Sequence, residues 1–256
     1  LASQPALKLN IRTTGWYRVT AADLASAGIN PSTFDPRTIK LFAEGVQVPI
    51  QVAGESDGRF DAADAVEFFG TGVDTPYTDT RVYYLTAGDG LGQRMKIVPI
   101  SAGSPVRPSL PTTVELKQRV THFSALANGD KENIFGDVVA FEPLDQVLAL
   151  PHVDASASTA KIEVSLQGVT LVPHRVEVAL NGKLIGVVSF TGKQYTTGTF
   201  TVAGSQLVNG DNTITLTPDA DSADISLVDT VRVTYQRLPL ASGEPLAATV
   251  PAGRQV

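Results

Sequence analysis

The sequence predicts an all-β protein with one minor helix, built as a small β-rich amino-terminal domain followed by a β-sandwich. Three observations predict it. Apolar and polar residues alternate with a period of two, the signature of strands with one buried face. The alternating runs are short, and Gly, Asp, Asn, Thr and Pro separate them. The 256 residues are 43% hydrophobic and 18% charged, a globular composition with enough apolar surface for real cores.

The elements follow in order. Residues 6–13 put Leu7, Leu9 and Ile11 on one face, and after a turn at Thr14-Gly15 the run Trp16-Tyr17-Arg18-Val19 completes an opening hairpin. Thr20 then caps a short helix, with Asp23 in its first turn and Gly28 as its stop. Residues 38–52 form a second hairpin that turns near Glu44-Gly45, and strands follow at about 64–70, 81–87 and 94–100. Pro105, Pro108 and Pro111 make 101–113 a stiff connector, because proline fixes φ and removes a donor.

Beyond it, 160–169 places Ile162, Val164 and Leu166 on one face, and 174–180 does the same with Val176, Val178 and Leu180 before the turn dipeptide Asn181-Gly182. Four further runs of the same kind reach Leu238. Many short strands at this spacing describe a sandwich. The expected divisions are 1–104, 105–238, and a remainder, 239–256, that reads as a linker or the start of a further strand.

Composition excludes several classes of function. Net charge is −6 with no lysine- or arginine-rich run, so counterion release cannot drive nucleic-acid binding, and an anionic membrane offers no attraction. No apolar stretch approaches the roughly 20 residues needed to span a bilayer. Zero cysteines remove disulfides, a cysteine nucleophile and thiolate zinc sites together. The chain opens Leu1-Ala2-Ser3, without an initiator Met or a signal-peptide pattern, and reads as part of a longer product.

An ordered set of segments carries a family resemblance. The first half has TGWYRV (14–19), DLASAGI (23–29), LFAEGVQVP (41–49), DGRFDAADAVEFFG (57–70) and YTDTRVYYLTAG (77–88). The second has HFSALANGDKENIFGD (122–137), LQGVT (166–170), HRVEVALNG (174–182), NGDNTITL (209–216) and DISLVDTVRVTY (224–235). In that order the chain resembles the non-catalytic region preceding the protease domain of gingipain-like bacterial cysteine peptidases of the caspase-like clan. The resemblance implies a secreted or cell-surface protein whose second domain is jelly-roll-like. Its partners would be an adjoining protease domain or a cell-surface component. The family's Cys–His dyad belongs to a later domain, and no residue of this chain matches its nucleophile.

Candidate chemistry is sparse. A serine nucleophile needs a histidine and an acid beside it, but no G-x-S-x-G elbow accompanies His122, His152 or His174. His174 shares strand parity with Val176 and Val178, which reads as a hydrogen-bonded residue at the edge of a core. The histidines are too far apart for a local zinc motif. Gly88-Asp89-Gly90-Leu91-Gly92 precedes a strand-like run, not the helix a dinucleotide loop requires, and reads as a hairpin turn.

Calcium is the one cofactor the residues leave open. Asp57, Asp61, Asp64 and Glu67 form one group of hard oxygen ligands, and Asp219, Asp221 and Asp224 form another; neither fits an EF-hand. The plain alternative is that these acids solubilise turns and cap strands. Sugar binding would draw on Trp16, Tyr17, Tyr77, Tyr83, Tyr84 and Tyr195, because sugar C–H faces stack on rings. Of these, Trp16 is expected to be buried, one of Tyr83 and Tyr84 exposed, and Tyr195 displayed in a loop over 193–197. The sequence therefore reads as a non-catalytic accessory region. A carbohydrate-binding module on the sandwich is the alternative, and a hydrolase using paired carboxylates ranks last.

Overall fold

The computed structural model describes residues 6–96, 109–129, 131–218 and 223–240. The chain divides into two compact units, Leu1–Ser101 and Ala102–Val256. Each buries an apolar core of its own. The architecture is all-β, with one short α-helix among the described residues.

The first unit contains β1 (Leu7–Ile11), β2 (Gly15–Thr20), α1 (Ala21–Ser26), β3 (Lys40–Ala43), β4 (Val46–Val48), β5 (Gln51–Ala53), β6 (Ala65–Gly70) and β7 (Arg81–Thr86). They form two antiparallel sheets, ordered β1-β7-β3-β4 and β2-β6-β5. Inward residues of both sheets, Leu41, Tyr83 and Leu85 from one and Val19, Val52, Val66 and Phe68 from the other, share a single core. Phe68 lies at its centre, stacked on Tyr17 with ring centroids 5.6 Å apart and tilted against Tyr83 at the same separation.

Helix α1 starts where the residues predict. The Thr20 hydroxyl accepts the Asp23 N–H at 3.2 Å and the Asp23 carboxylate accepts the Thr20 N–H at 2.8 Å, which completes a capping box. The β3–β4 hairpin turns on Glu44 and Gly45, both at positive φ, as a two-residue turn that suits strand twist.

The opening hairpin does not form. β1 pairs with β7 and β2 with β6, so the two strands belong to different sheets. Thr14 and Gly15 are not among the residues at positive φ, and the tight turn that would fold one strand back on the other is missing. The corner is held by Gly72, whose N–H donates to the Thr14 hydroxyl at 2.9 Å. A Cβ at Gly72 would come within 2.4 Å of the Arg12 carbonyl.

The run after Gly92 departs from expectation too. Over its described residues Arg94 forms a parallel bridge with Ile50 and does not fold back on β7; residues 97–100 lie outside the described residues. Gly92 sits against the Ile39 carbonyl, where an added Cβ would be 1.9 Å away, and its N–H donates to the Arg37 carbonyl.

The second unit contains β8 (Leu110–Leu116), β9 (Thr121–His122), β10 (Ile134–Phe135), β11 (Val138–Val139), β12 (Leu144–Leu150), β13 (Ala160–Gly168), β14 (Pro173–Leu180), β15 (Lys183–Thr191), β16 (Tyr195–Val202), β17 (Gly210–Pro218) and β18 (Ser226–Arg237). One sheet runs β11-β18-β13-β16, with β8 on the same edge of β18 as β11; the other runs β12-β17-β14-β15. Ile162, Val164, Leu166, Val231 and Val233 of the first interdigitate with Val176, Val178, Leu180, Ile214 and Leu216 of the second. The result is the sandwich that the alternation predicts.

β8 corrects the reading of 101–113 as a connector. Pro111 lies inside a strand, paired opposite Gln236, where an edge strand tolerates the lost donor. Residues 97–108 lie outside the described residues.

The β14–β15 hairpin turns on Asn181 at φ 49° and Gly182 at φ 81°. Nothing lies within 4 Å of a Cβ placed on Gly182, so a side chain there meets only backbone strain. Gly182→Ala is expected to cost about 1–2 kcal/mol, read from the denaturant midpoint at unchanged m-value.

Candidate functional site

Segment 117–136 crosses the outer face of the sandwich through the β9–β10 pair. Leu126 and Phe135 bury a small separate core there with Val169 and Leu227. Beneath this strap is a group of charges. The Lys117 ammonium lies 3.1 Å from Glu132 and 3.8 Å from Asp229, and the Tyr195 hydroxyl donates to Asp229 at 2.7 Å. Arg119 adds a 3.5 Å contact with Glu132, whose carboxylate also accepts the N–H groups of Asn133 and Ile134 at 3.0 Å.

A β-bulge explains how Asp229 arrives among these groups. Ser165 pairs with Thr230 and Leu166 with Val228, so Asp229 is the extra residue of β18. Bulges re-aim side chains, and this one sets a carboxylate among the buried residues at the start of the strand. Sequence reasoning missed it. The available signal was a lone acid inside the run Leu227-Val228-Asp229-Thr230-Val231.

Burial pushes the Glu132 carboxyl up, but the Ile134 N–H, Lys117 and the Asn133 N–H outweigh it and hold the group below its ordinary value. A lowered folded value means that this contribution is fully present above the unfolded carboxylate pKa. It is lost as pH falls through the folded one. Tyr195 shifts the other way: burial raises its phenol, and Asp229 adds to the rise against an opposing hydrogen bond from Ser165. Tyr195 is therefore a neutral donor to a carboxylate. Tyr195→Phe is expected to cost about 1–3 kcal/mol, by leaving Asp229 short of a hydrogen bond; urea unfolding followed by circular dichroism measures it.

The expected loop around Tyr195 is instead the start of β16, because Tyr195 pairs with Gln167 across the sheet. The residue is 49% exposed, but its hydroxyl is committed to Asp229. Trp16 reverses its expectation. It is 50% exposed and sits directly across from Phe69, itself 45% exposed, on the outer face of the β2-β6-β5 sheet. The register explains this: Tyr17 and Val19 take the inward positions of β2, which sends Trp16 and Arg18 outward. Arg18 and Glu67 pair beside the rings at 3.2 Å. Tyr83 is buried and Tyr84 exposed, as alternation requires.

His174 is enclosed. Its Nδ1 hydrogen-bonds the Asp224 carboxylate, its Nε2 faces the Thr170 carbonyl at 3.3 Å, and its ring stacks on Phe190 at 4.6 Å. The second Asp224 oxygen accepts the Arg175 N–H at 3.1 Å. A histidine–aspartate couple is two parts of a nucleophilic triad. Here the free nitrogen meets a backbone carbonyl, and no serine hydroxyl bonds a histidine ring among the described residues. His122 lies on exposed β9 and His152 in a separate turn at positive φ.

The acidic groups disperse. Asp57 accepts the Arg59 N–H at 3.0 Å, Asp64 accepts the Asp61 N–H at 2.8 Å, and Glu67 pairs with Arg18. Asp224 is taken by His174, while Asp219 and Asp221 lie outside the described residues. Among the described residues no group of three or more acidic or histidine side chains could hold a metal.

No protein-family model and no curated protein matches the sequence. Among solved structures, dimeric latent PorU from Porphyromonas gingivalis matches 100% of this chain at a TM-score of 0.75 and 14% identity. The likeness is one of fold, and the chain spans 26% of that protein's length. A family 36 carbohydrate-binding module, solved with calcium and xylotriose, overlaps 48% of this chain and 98% of its own at 18% identity, with a TM-score of 0.33. A family 35 module from an environmental isolate overlaps 57% and 97% at 19% identity and 0.29. At those scores neither overlap places a residue of this chain in a binding role.

Proposed function

We propose that this chain is a non-catalytic accessory region of a secreted gingipain-like peptidase, acting through contacts with an adjoining protease domain or a cell-surface component. The observation that carries the reading is the full-length match of both units, in one alignment, to about a quarter of a much longer chain. Support also comes from side-chain chemistry. The enclosed His174–Asp224 couple bonds itself and backbone, and Lys117 pairs with Glu132 and Asp229 beneath the strap, contacts that hold loops in place. Cysteine is absent, so the nucleophile of such a peptidase would lie outside these residues. The coding sequence beyond Val256 tests the proposal. A downstream Cys and His in an α/β region are expected, and a stop codon directly after this point would overturn it.

A second reading, glycan binding, has one observation in its favour: the exposed Trp16–Phe69 pair beside the Arg18–Glu67 ion pair. Rings flanked by hydrogen-bonding groups suit a sugar face. This moves the candidate surface from the sandwich, where the sequence placed it, to the first unit. On this reading Trp16→Ala abolishes binding on a broad glycan array while leaving the Tm unchanged, and an array without hits excludes it.

A further inference from the structure

The first unit keeps an open apolar cavity of about 270 Å³ against its core, lined by Leu24, Ile29, Phe34, Ile39 and Leu85. Local structure sets its walls. Gly28, at φ 79°, ends α1 in a Schellman turn: its N–H donates to the Ala25 carbonyl and the Ile29 N–H to the Leu24 carbonyl, both at 3.0 Å. That turn carries Ile29 back beside Leu24, the apolar contact that completes the motif. Ile39 follows the short 3-10 helix Pro36–Thr38, and Leu85 is held between Leu7 and Leu41 in the sheet. Leu24, Ile39 and Leu85 also belong to the buried core, so these walls are fixed.

Protein interiors leave few voids larger than a water molecule. An apolar cavity of roughly 150 Å³ lined by Leu, Ile and Phe stays dry and takes up benzene. This one has the same kind of lining and room for a substituted ring, but it falls short of the roughly 300–1,000 Å³ of drug-sized pockets. No charged side chain lines it among the described residues, so an ionised ligand would lose its hydration without a counter-charge. Two threonines border it. The Thr33 hydroxyl donates to the Asn30 carbonyl at 2.7 Å. Thr86 is 5% exposed, and its hydroxyl has no hydrogen-bond partner among the described residues.

We infer that this cavity is a binding site for a small uncharged ring compound with one hydrogen-bonding group, the ring lying among Leu24, Ile29 and Leu85 and the polar group on the Thr86 hydroxyl. The site is separate from the Trp16–Phe69 pair, neither of which lines the cavity.

Methyl NMR spectra of the 256-residue protein, titrated with p-cresol and with toluene, test the inference on wild type, Thr86→Val and Thr33→Trp. In wild type, p-cresol is expected to shift the methyl signals of Leu24, Ile29 and Leu85 saturably, with a Kd of roughly 0.1–1 mM. Thr86→Val keeps the side-chain shape and removes the hydroxyl, so it should weaken p-cresol about three- to tenfold and leave toluene no weaker. Thr33 is exposed, so Thr33→Trp can cover the mouth without touching the core, and it should abolish the shifts with both compounds. No saturable shift in wild type, shifts that persist in Thr33→Trp, or an equal response of both compounds to Thr86→Val would overturn the inference.

Discussion

His174→Leu is expected to lower the stability of the second unit by about 3–5 kcal/mol. The His174 and Asp224 side chains are 0% and 1% exposed. Without the imidazole, the Asp224 carboxyl retains the Arg175 N–H and loses its main partner. Leucine fills a similar volume, so the loss reports the stranded carboxyl rather than a cavity. Removing both partners in a His174→Leu, Asp224→Leu double variant should recover most of the loss. Chemical denaturation measures both. A single-variant cost below roughly 1 kcal/mol would mean that the couple is not an interdependent pair.

Phe68→Ala is expected to cost about 3–5 kcal/mol, because a fully buried ring with two aromatic neighbours leaves a cavity that cannot collapse. Its consequence should be confined to the first unit, since Phe68 belongs to that unit's core alone. Scanning calorimetry is therefore expected to show one transition shifted down and a second unmoved. A single transition falling as a whole would show that the units unfold together.

Much of this architecture is legible in the residues, for local reasons. Asn181-Gly182 and Glu44-Gly45 supply positive φ at both turn positions, and the strands on either side follow. Thr20 and Asp23 satisfy each other within one helical turn. Alternation also assigns Ile162, Val164 and Leu166 to the core without reference to any partner.

What alternation lacks is the pairing. The same pattern in β1 and β2 is compatible with one hairpin or two sheets, and the corner at Arg12–Thr14 decides between them through Gly72, far along the chain. The exposure of Trp16, against the expected burial, has the same cause. Alternation divides β2 into two faces, but only its pairing with β6 and the packing of Phe68 show which face is inner.

The polar clusters were harder still to read. Asp229 reaches Tyr195 and Lys117 through a bulge, and the lone acid in the run Leu227–Val231 marks an exception to alternation without showing which groups it meets. Arg237 closes the last alternating run, and parity places it inward with Val233 and Tyr235, although arginine is seldom buried without a partner.

On the proposed reading these residues bind and support, and do not make or break bonds. Hydrolysis of a broad set of fluorogenic peptides by the purified 256-residue protein tests it most directly. The predicted result is release no faster than the buffer blank. Turnover that persists through repurification and vanishes with one substitution in this chain would contradict the claim.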